Sequence, residues 1–247
     1  MQSSSNNSNT SKSLLIPRSN NSSYLLSVDP SLRSTGWVLF SIETQAPVIA
    51  GLIKPTNTQL ALASRLNQFQ NTVSELLEYL KLNSKDYLVC EGPAPLVLNP
   101  QSALKVEHVR GMFETIARAR NVCVPGRLNP RSVQSEILGL RGAQINRKQV
   151  KAVAKKTCEQ LFPNLNLELV GIKIRKNELP QDIIDALLIG MLACSRIRQA
   201  IFSGIEPEAS FAERRQNSRS KSAWQGWSEK DLISRAAASA ETIRKVR

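Results

Sequence analysis

Three short apolar segments, 24–29, 36–42 and 48–53, follow one another with only tight turns between them, and from residue 58 onward helical and extended patterns alternate. Gly36 and Pro47 punctuate the first stretch, as turn residues do between strands. Residues 58–82 carry Leu60, Leu62, Leu66, Phe69, Val73, Leu76, Leu77 and Leu80 at helical spacing, because side chains three and four apart share a helix face. A fourth strand is predicted at 87–91 and, after the Pro-rich stretch 93–100, a helix from about 101 to 120. A fifth strand near 122–125 and helices at 131–139, 147–161 and 181–203 complete the pattern. Three adjacent strands followed by alternating helix and strand predict an α/β fold: a mixed five-stranded sheet flanked by helices.

The two ends differ from this middle. Residues 1–23 hold nine Ser and five Asn with little apolar content and are expected to be a disordered tail. Residues 24–203 form the expected folded domain, and 204–247 turn polar and basic again as a C-terminal extension. Within that extension Ser228-Glu229-Lys230-Asp231 suits the start of a short terminal helix, since a Ser cap and early acids satisfy free N–H groups.

A formal net charge of +13 on 247 residues points to a polyanionic partner. No apolar run approaches the roughly 20 residues that span a bilayer, so nucleic acid is favoured over a membrane. Cys90, Cys123, Cys158 and Cys194 show no C-x-x-C pairing and sit among apolar neighbours, which reads as reduced core thiols in an intracellular compartment. The expected location is the cytoplasm or the nucleoid. The N-terminal tail lacks acids and carries Lys12 and Arg18, which leaves organellar import open as the alternative.

Against this basic background, four carboxylates stand at the edges of apolar segments. Asp29 closes the first strand and Glu91 the fourth, while Asp182 and Asp185 precede the apolar run Ala186-Leu187-Leu188-Ile189. Burying an ionised carboxylate without a counter-charge is expensive, so together they predict a cation-binding cluster. Asp182 and Asp185, spaced i, i+3, share one face of the first helical turn, where the helix dipole favours negative charge. Oxygen donors of this kind suit Mg²⁺ or Mn²⁺, and paired ions about 4 Å apart hydrolyse phosphodiesters. Taken singly, Asp29 before Pro30 also suits the start of a turn, and Asp182 after Pro180 a helix cap. Glu91 and Asp185 have no such local task.

The blocks around these acids resemble those of the RuvC Holliday-junction resolvases. Leu26-Ser27-Val28-Asp29-Pro30 with Thr35-Gly36 is similar to that family's first strand and turn. Glu91, Asn99, Ser102-Ala103-Leu104-Lys105 and Arg110-Gly111 resemble its second block, and Pro130-Arg131-Ser132-Val133, Gly139 and Lys148-Gln149-Val150 its third. Asp182-Ile183-Ile184-Asp185-Ala186-Leu187 resembles the D-x-x-D-A-L block that completes its active site. The resemblance runs in order from about residue 24 to 200. It implies an RNase H-like fold and a homodimeric endonuclease that resolves four-way junctions and other branched DNA with Mg²⁺ (Mn²⁺ substituting), two ions per active site. On that reading Asp29, Glu91, Asp182 and Asp185 hold the metal, and Lys148 assists at the scissile phosphate.

The chain departs from the family pattern at three places. Ser31 stands where a Gly is usual after Asp-Pro, Gln134 where a second lysine is usual, and Ala94 where an aromatic residue is usual. The metal chemistry is expected to survive these changes, while junction opening and sequence preference lose their usual residues.

Between Arg110 and Lys156 there are eleven Lys or Arg and two Asp or Glu, an imbalance that favours phosphate contact over a merely solvated face. Lys105, Arg110, Arg127, Arg131, Arg147, Lys151 and Lys155 are the residues expected to contact DNA. Trp224 and Trp227 in the basic extension suit either stacking on unpaired bases or docking of the tail. His108, the single histidine, reads as a packing or helix-surface residue, and the lack of His and paired Cys ligands argues against a zinc hydrolase. The alternatives are a non-cleaving binder of branched nucleic acid on the same fold, and a nuclease for other branched DNA such as R-loops. An actin-like or sugar-kinase-like ATPase shares the Asp-then-turn opening but needs Gly-rich phosphate loops, and a DDE transposase needs a different final acid.

Overall fold

The computed structural model describes residues 22–54, 59–93, 100–140, 146–163 and 179–212. Its elements are β1 (Tyr24–Asp29), β2 (Thr35–Ser41), β3 (Pro47–Ile53), α1 (Leu62–Tyr79), β4 (Tyr87–Glu91), α2 (Pro100–Ala119), β5 (Arg127–Leu128), α3 (Pro130–Glu136), α4 (Arg147–Leu161), α5 (Gln181–Ser203) and α6 (Pro207–Phe211). The strands form one sheet in the order β3-β2-β1-β4-β5. β1 runs antiparallel to β2 and parallel to β4, so the sheet is mixed, as the segment order predicts.

Successive residues of a strand point to opposite faces, and here both faces are covered. Leu25, Val38, Phe40 and Val89 meet a layer that includes Ile183, Leu187 and Ala154 of α5 and α4. Leu26, Val28, Leu39 and Leu88 meet Phe69, Val73 and Leu77 of α1 and Phe113 of α2. This explains why β1 is apolar almost throughout rather than alternating. Leu26 is fully buried, and truncating such a leucine to alanine costs about 2–5 kcal/mol.

α5 is the central helix of the first layer. In length and apolarity it matches what a membrane-crossing helix requires, contrary to the expectation that no run approaches that length. Twelve of its 23 residues are buried within the fold, and it packs on β1 and β2. The hydroxyl of buried Ser27 lies 2.9 Å from the Ala186 carbonyl on α5 and 3.1 Å from the Val38 carbonyl on β2. Glycines admit the close approach: a Cβ on Gly190 would stand 2.1 Å from the Phe40 ring.

Two elements differ from expectation. The fifth strand forms at Arg127–Leu128 rather than 122–125, and Cys123 makes only an isolated bridge with Tyr87. Pro125 has no N–H to donate, so pairing breaks there and resumes beyond Gly126. α6 lies past the expected boundary at Ser203, and the compact unit runs to Ala212. Its Phe211 is buried against Gly126, where a Cβ would meet that of Phe211 at 2.7 Å. One buried aromatic in a polar stretch gives little sequence signal. The tail over residues 1–21, Ala94, the two tail tryptophans and the helix expected after Ser228 lie outside the described residues.

Candidate active site

In the parallel register of β1 with β4, Val28 lies beside Cys90, so one step further on Asp29 and Glu91 end adjacent strands. In the antiparallel register with β2, Asp29 faces Gly36. A Cβ on Gly36 would stand 1.9 Å from the Asp182 carbonyl oxygen, and this contact seats the first turn of α5 against the strand ends. Three elements thereby bring Asp29, Glu91, Asp182 and Asp185 together, each half-buried. The turn between β1 and β2 is fixed by Thr35, whose hydroxyl donates to the Ser31 carbonyl (2.6 Å) and accepts from the Ser31 amide (2.9 Å).

The charges act on one another. Burial first, then repulsion from Glu91, Asp185 and Asp182, pushes the Asp29 carboxyl up to about 8, with Arg110 pulling the other way. Burial and Asp185 push Glu91 up to about 7, opposed by Arg110 and by a hydrogen bond with Asp29. Like charges held this close disfavour ionisation of both, and a bound cation would relieve the repulsion. Burial also raises Asp185, against Gln181, Lys151 and Arg147.

The remaining two acids have partners of their own. Ser34 donates to Asp182 at 2.5 Å and Gln181 to Asp185 at 2.8 Å. As placed, no three of these side chains, nor any other His, Cys, Asp or Glu among the described residues, share a common point at ligand distance. The donor set nevertheless fits a hard divalent cation, since it is all oxygen and holds more negative charge than its neighbours neutralise. Buried Asp86 makes the contrast: its carboxylate accepts from the backbone amides of Tyr24 (2.9 Å) and Asn83 (2.8 Å). Asp86 is satisfied by the backbone; Asp29 and Glu91 are not.

Behind Glu91 runs a chain of ion pairs. Arg110, only 2% exposed, donates through Nε to the Glu91 carbonyl oxygen at 2.6 Å and pairs with Glu107. Arg127 grips both Glu114 oxygens at 2.7 and 2.9 Å and reaches Glu107 at 2.7 Å. This sets two of the residues expected to contact DNA apart from the surface cations. Arg110 is an interior cation that sets the position of Glu91, and Arg127, one third exposed, directs three of its five N–H donors at Glu114 and Glu107.

The other basic residues stand on the surface. Lys105, Arg131, Arg147, Lys148 and Lys151 are exposed, and half-buried Lys155 lies 3.9 Å from Glu159. His108 is exposed on α2, as a helix-surface residue. Sequence reasoning missed Arg33, exposed on the β1–β2 turn beside Asp29, and the partners Ser34 and Gln181. The i, i+4 spacing of Gln181 and Asp185 was a readable signal; the reach of Ser34 across the fold was not.

No family model matches the chain. The crossover junction endodeoxyribonuclease RuvC of Sphingopyxis alaskensis is 30% identical over 123 residues, covering 48% of this chain and 74% of that protein. The chain belongs to the RuvC family. RuvC of Ehrlichia canis is 26% identical over 100 residues, 40% of this chain, and the match spans 62% of that relative's length. Among solved structures, T. thermophilus RuvC in complex with a Holliday junction substrate superposes with a TM-score of 0.51 at 18% identity, over 72% of this chain and 96% of that one. Thermus thermophilus RuvC alone gives 0.51 at 19% identity with the same coverage. These structures share the RuvC fold with the chain.

Proposed function

We propose that this chain is a structure-selective DNA endonuclease that hydrolyses backbone phosphodiesters at four-way junctions. The observation that carries this reading is the convergence of Asp29, Glu91, Asp182 and Asp185 from β1, β4 and α5 at one end of the sheet, with Asp29 coupled electrostatically to the other three. A retired site gains nothing from keeping carboxylates that repel one another. The four acids would hold Mg²⁺ or Mn²⁺, two ions when full, supplying Lewis-acid activation of water and stabilisation of the leaving oxygen. Metal bound there would favour the ionised forms of Asp29 and Glu91. Ser34 and Gln181 orient Asp182 and Asp185, and Arg110 fixes the Glu91 backbone.

Lys148 assists at the scissile phosphate, as in the family, and Arg33, Lys105, Arg131, Arg147 and Lys155 track the DNA backbone. Contacts of that kind position the substrate without reading its sequence. A homodimer gives two sites and paired nicks. The experiment is cleavage of a four-way junction, a flap, an R-loop and a plain duplex in Mg²⁺. Preference for the junction supports the reading, and equal cutting of all four overturns it.

A further inference from the structure

A groove between α3, α4 and α5 opens beside the acids. Glu91 and Asp185 line it together with Gln134, Gln181 and Lys151, over an apolar floor that includes Val133 and Leu188. Lys151 is the only cation among the lining residues. It is exposed, and its ammonium lies within 4.0 Å of no carboxylate among the described residues. Its charge nonetheless reaches Asp185. Lys148 lies three residues earlier on α4 and lines no part of this groove. A cation in the same groove as carboxylates that would hold metal is placed to meet the phosphate those carboxylates would engage.

We propose that Lys151 is a catalytic residue whose ammonium binds a non-bridging oxygen of the scissile phosphate. This rests on the endonuclease reading and deepens it. When the attacking oxygen adds and the leaving oxygen departs, negative charge gathers on the non-bridging oxygens. Lys151 donates to one of them from the α4 side and transfers no proton. Gln134, across the same groove, is neutral and leaves that charge to Lys151.

The test is a binding cycle on four-way junctions in Ca²⁺, in which single phosphates are replaced in turn by neutral methylphosphonates. Wild-type cleavage in Mg²⁺ identifies the scissile position. At that position the replacement is expected to weaken wild-type binding by about tenfold and Lys151→Gln binding by less than about twofold, since the partner charge is already gone. Single-turnover cleavage by Lys151→Gln is expected to fall by about tenfold or more, with part of the loss recovered in Lys151→Arg. Coupling at another phosphate, or at none, overturns the proposal, as does coupling that follows Lys148→Gln and not Lys151→Gln. A wild-type protein that binds the junction and cuts nothing overturns the endonuclease reading itself.

Discussion

Gly36 meets the backbone of Asp182 so closely that a Cβ would stand 1.9 Å from its carbonyl oxygen. Gly36 is also the β2 partner of Asp29, so one missing side chain holds the acid of a strand against the acids of a helix. The glycine after Thr35 is needed for close approach between elements, and the turn itself is closed by Thr35 and Ser31.

Gly36→Ala is therefore expected to push the start of α5 away from β1. Overpacking of this kind costs about 1–3 kcal/mol, and a displacement near 1 Å at reacting groups lowers rates by about a hundredfold. Urea unfolding and junction cleavage measure the two effects. Wild-type behaviour in both would contradict the contact.

The acid pair makes stability depend on pH. Asp29 rises from 3.8 to about 8 and Glu91 from 4.5 to about 7 on folding, so between these limits the folded chain holds more protons than the unfolded one. Stability from this source is complete below about pH 4 and is lost as pH rises through 7 to 8. In EDTA, melting temperature is expected to fall between pH 5 and pH 8.5, and Mg²⁺ to restore more at the upper end. Asp29→Asn is expected to melt at least about 2–4 °C above wild type at pH 8 in EDTA and to lose most of the Mg²⁺ gain. A parallel pH dependence in the two proteins would count against the coupling.

Arg110 and Arg131 divide structure from DNA contact. Arg110→Met removes the buried donor to the Glu91 carbonyl and one of the two partners of half-exposed Glu107, at a cost of about 1–3 kcal/mol. Arg131→Gln and Arg147→Gln are expected to leave stability alone and to reduce the salt slope of junction binding by about one each. Equal effects of all three on the salt slope would return Arg110 to the DNA surface.

Much of this was legible in the sequence because strand ends and helix starts follow from apolar periodicity. The segment ending at Asp29, the one ending at Glu91 and the run after Asp185 each announced an element, and the acids came with them. The basic residues were harder. Arg110 and Arg127 carry the same charge as Arg131, and only the fold shows that they pair with Glu107 and Glu114. Local spacing says nothing of Arg127 reaching a helix thirteen residues back. The fifth strand shifted because Pro125 interrupts pairing. α6 went unseen because only Phe211 of that short helix is buried.

Cleavage by Asp29→Asn and Asp185→Asn, set beside wild type on a four-way junction in Mg²⁺, tests the four-carboxylate site most directly. Each variant is expected to lose about 10³-fold or more in single-turnover rate while still binding the junction in Ca²⁺. Full activity in either variant would contradict the site.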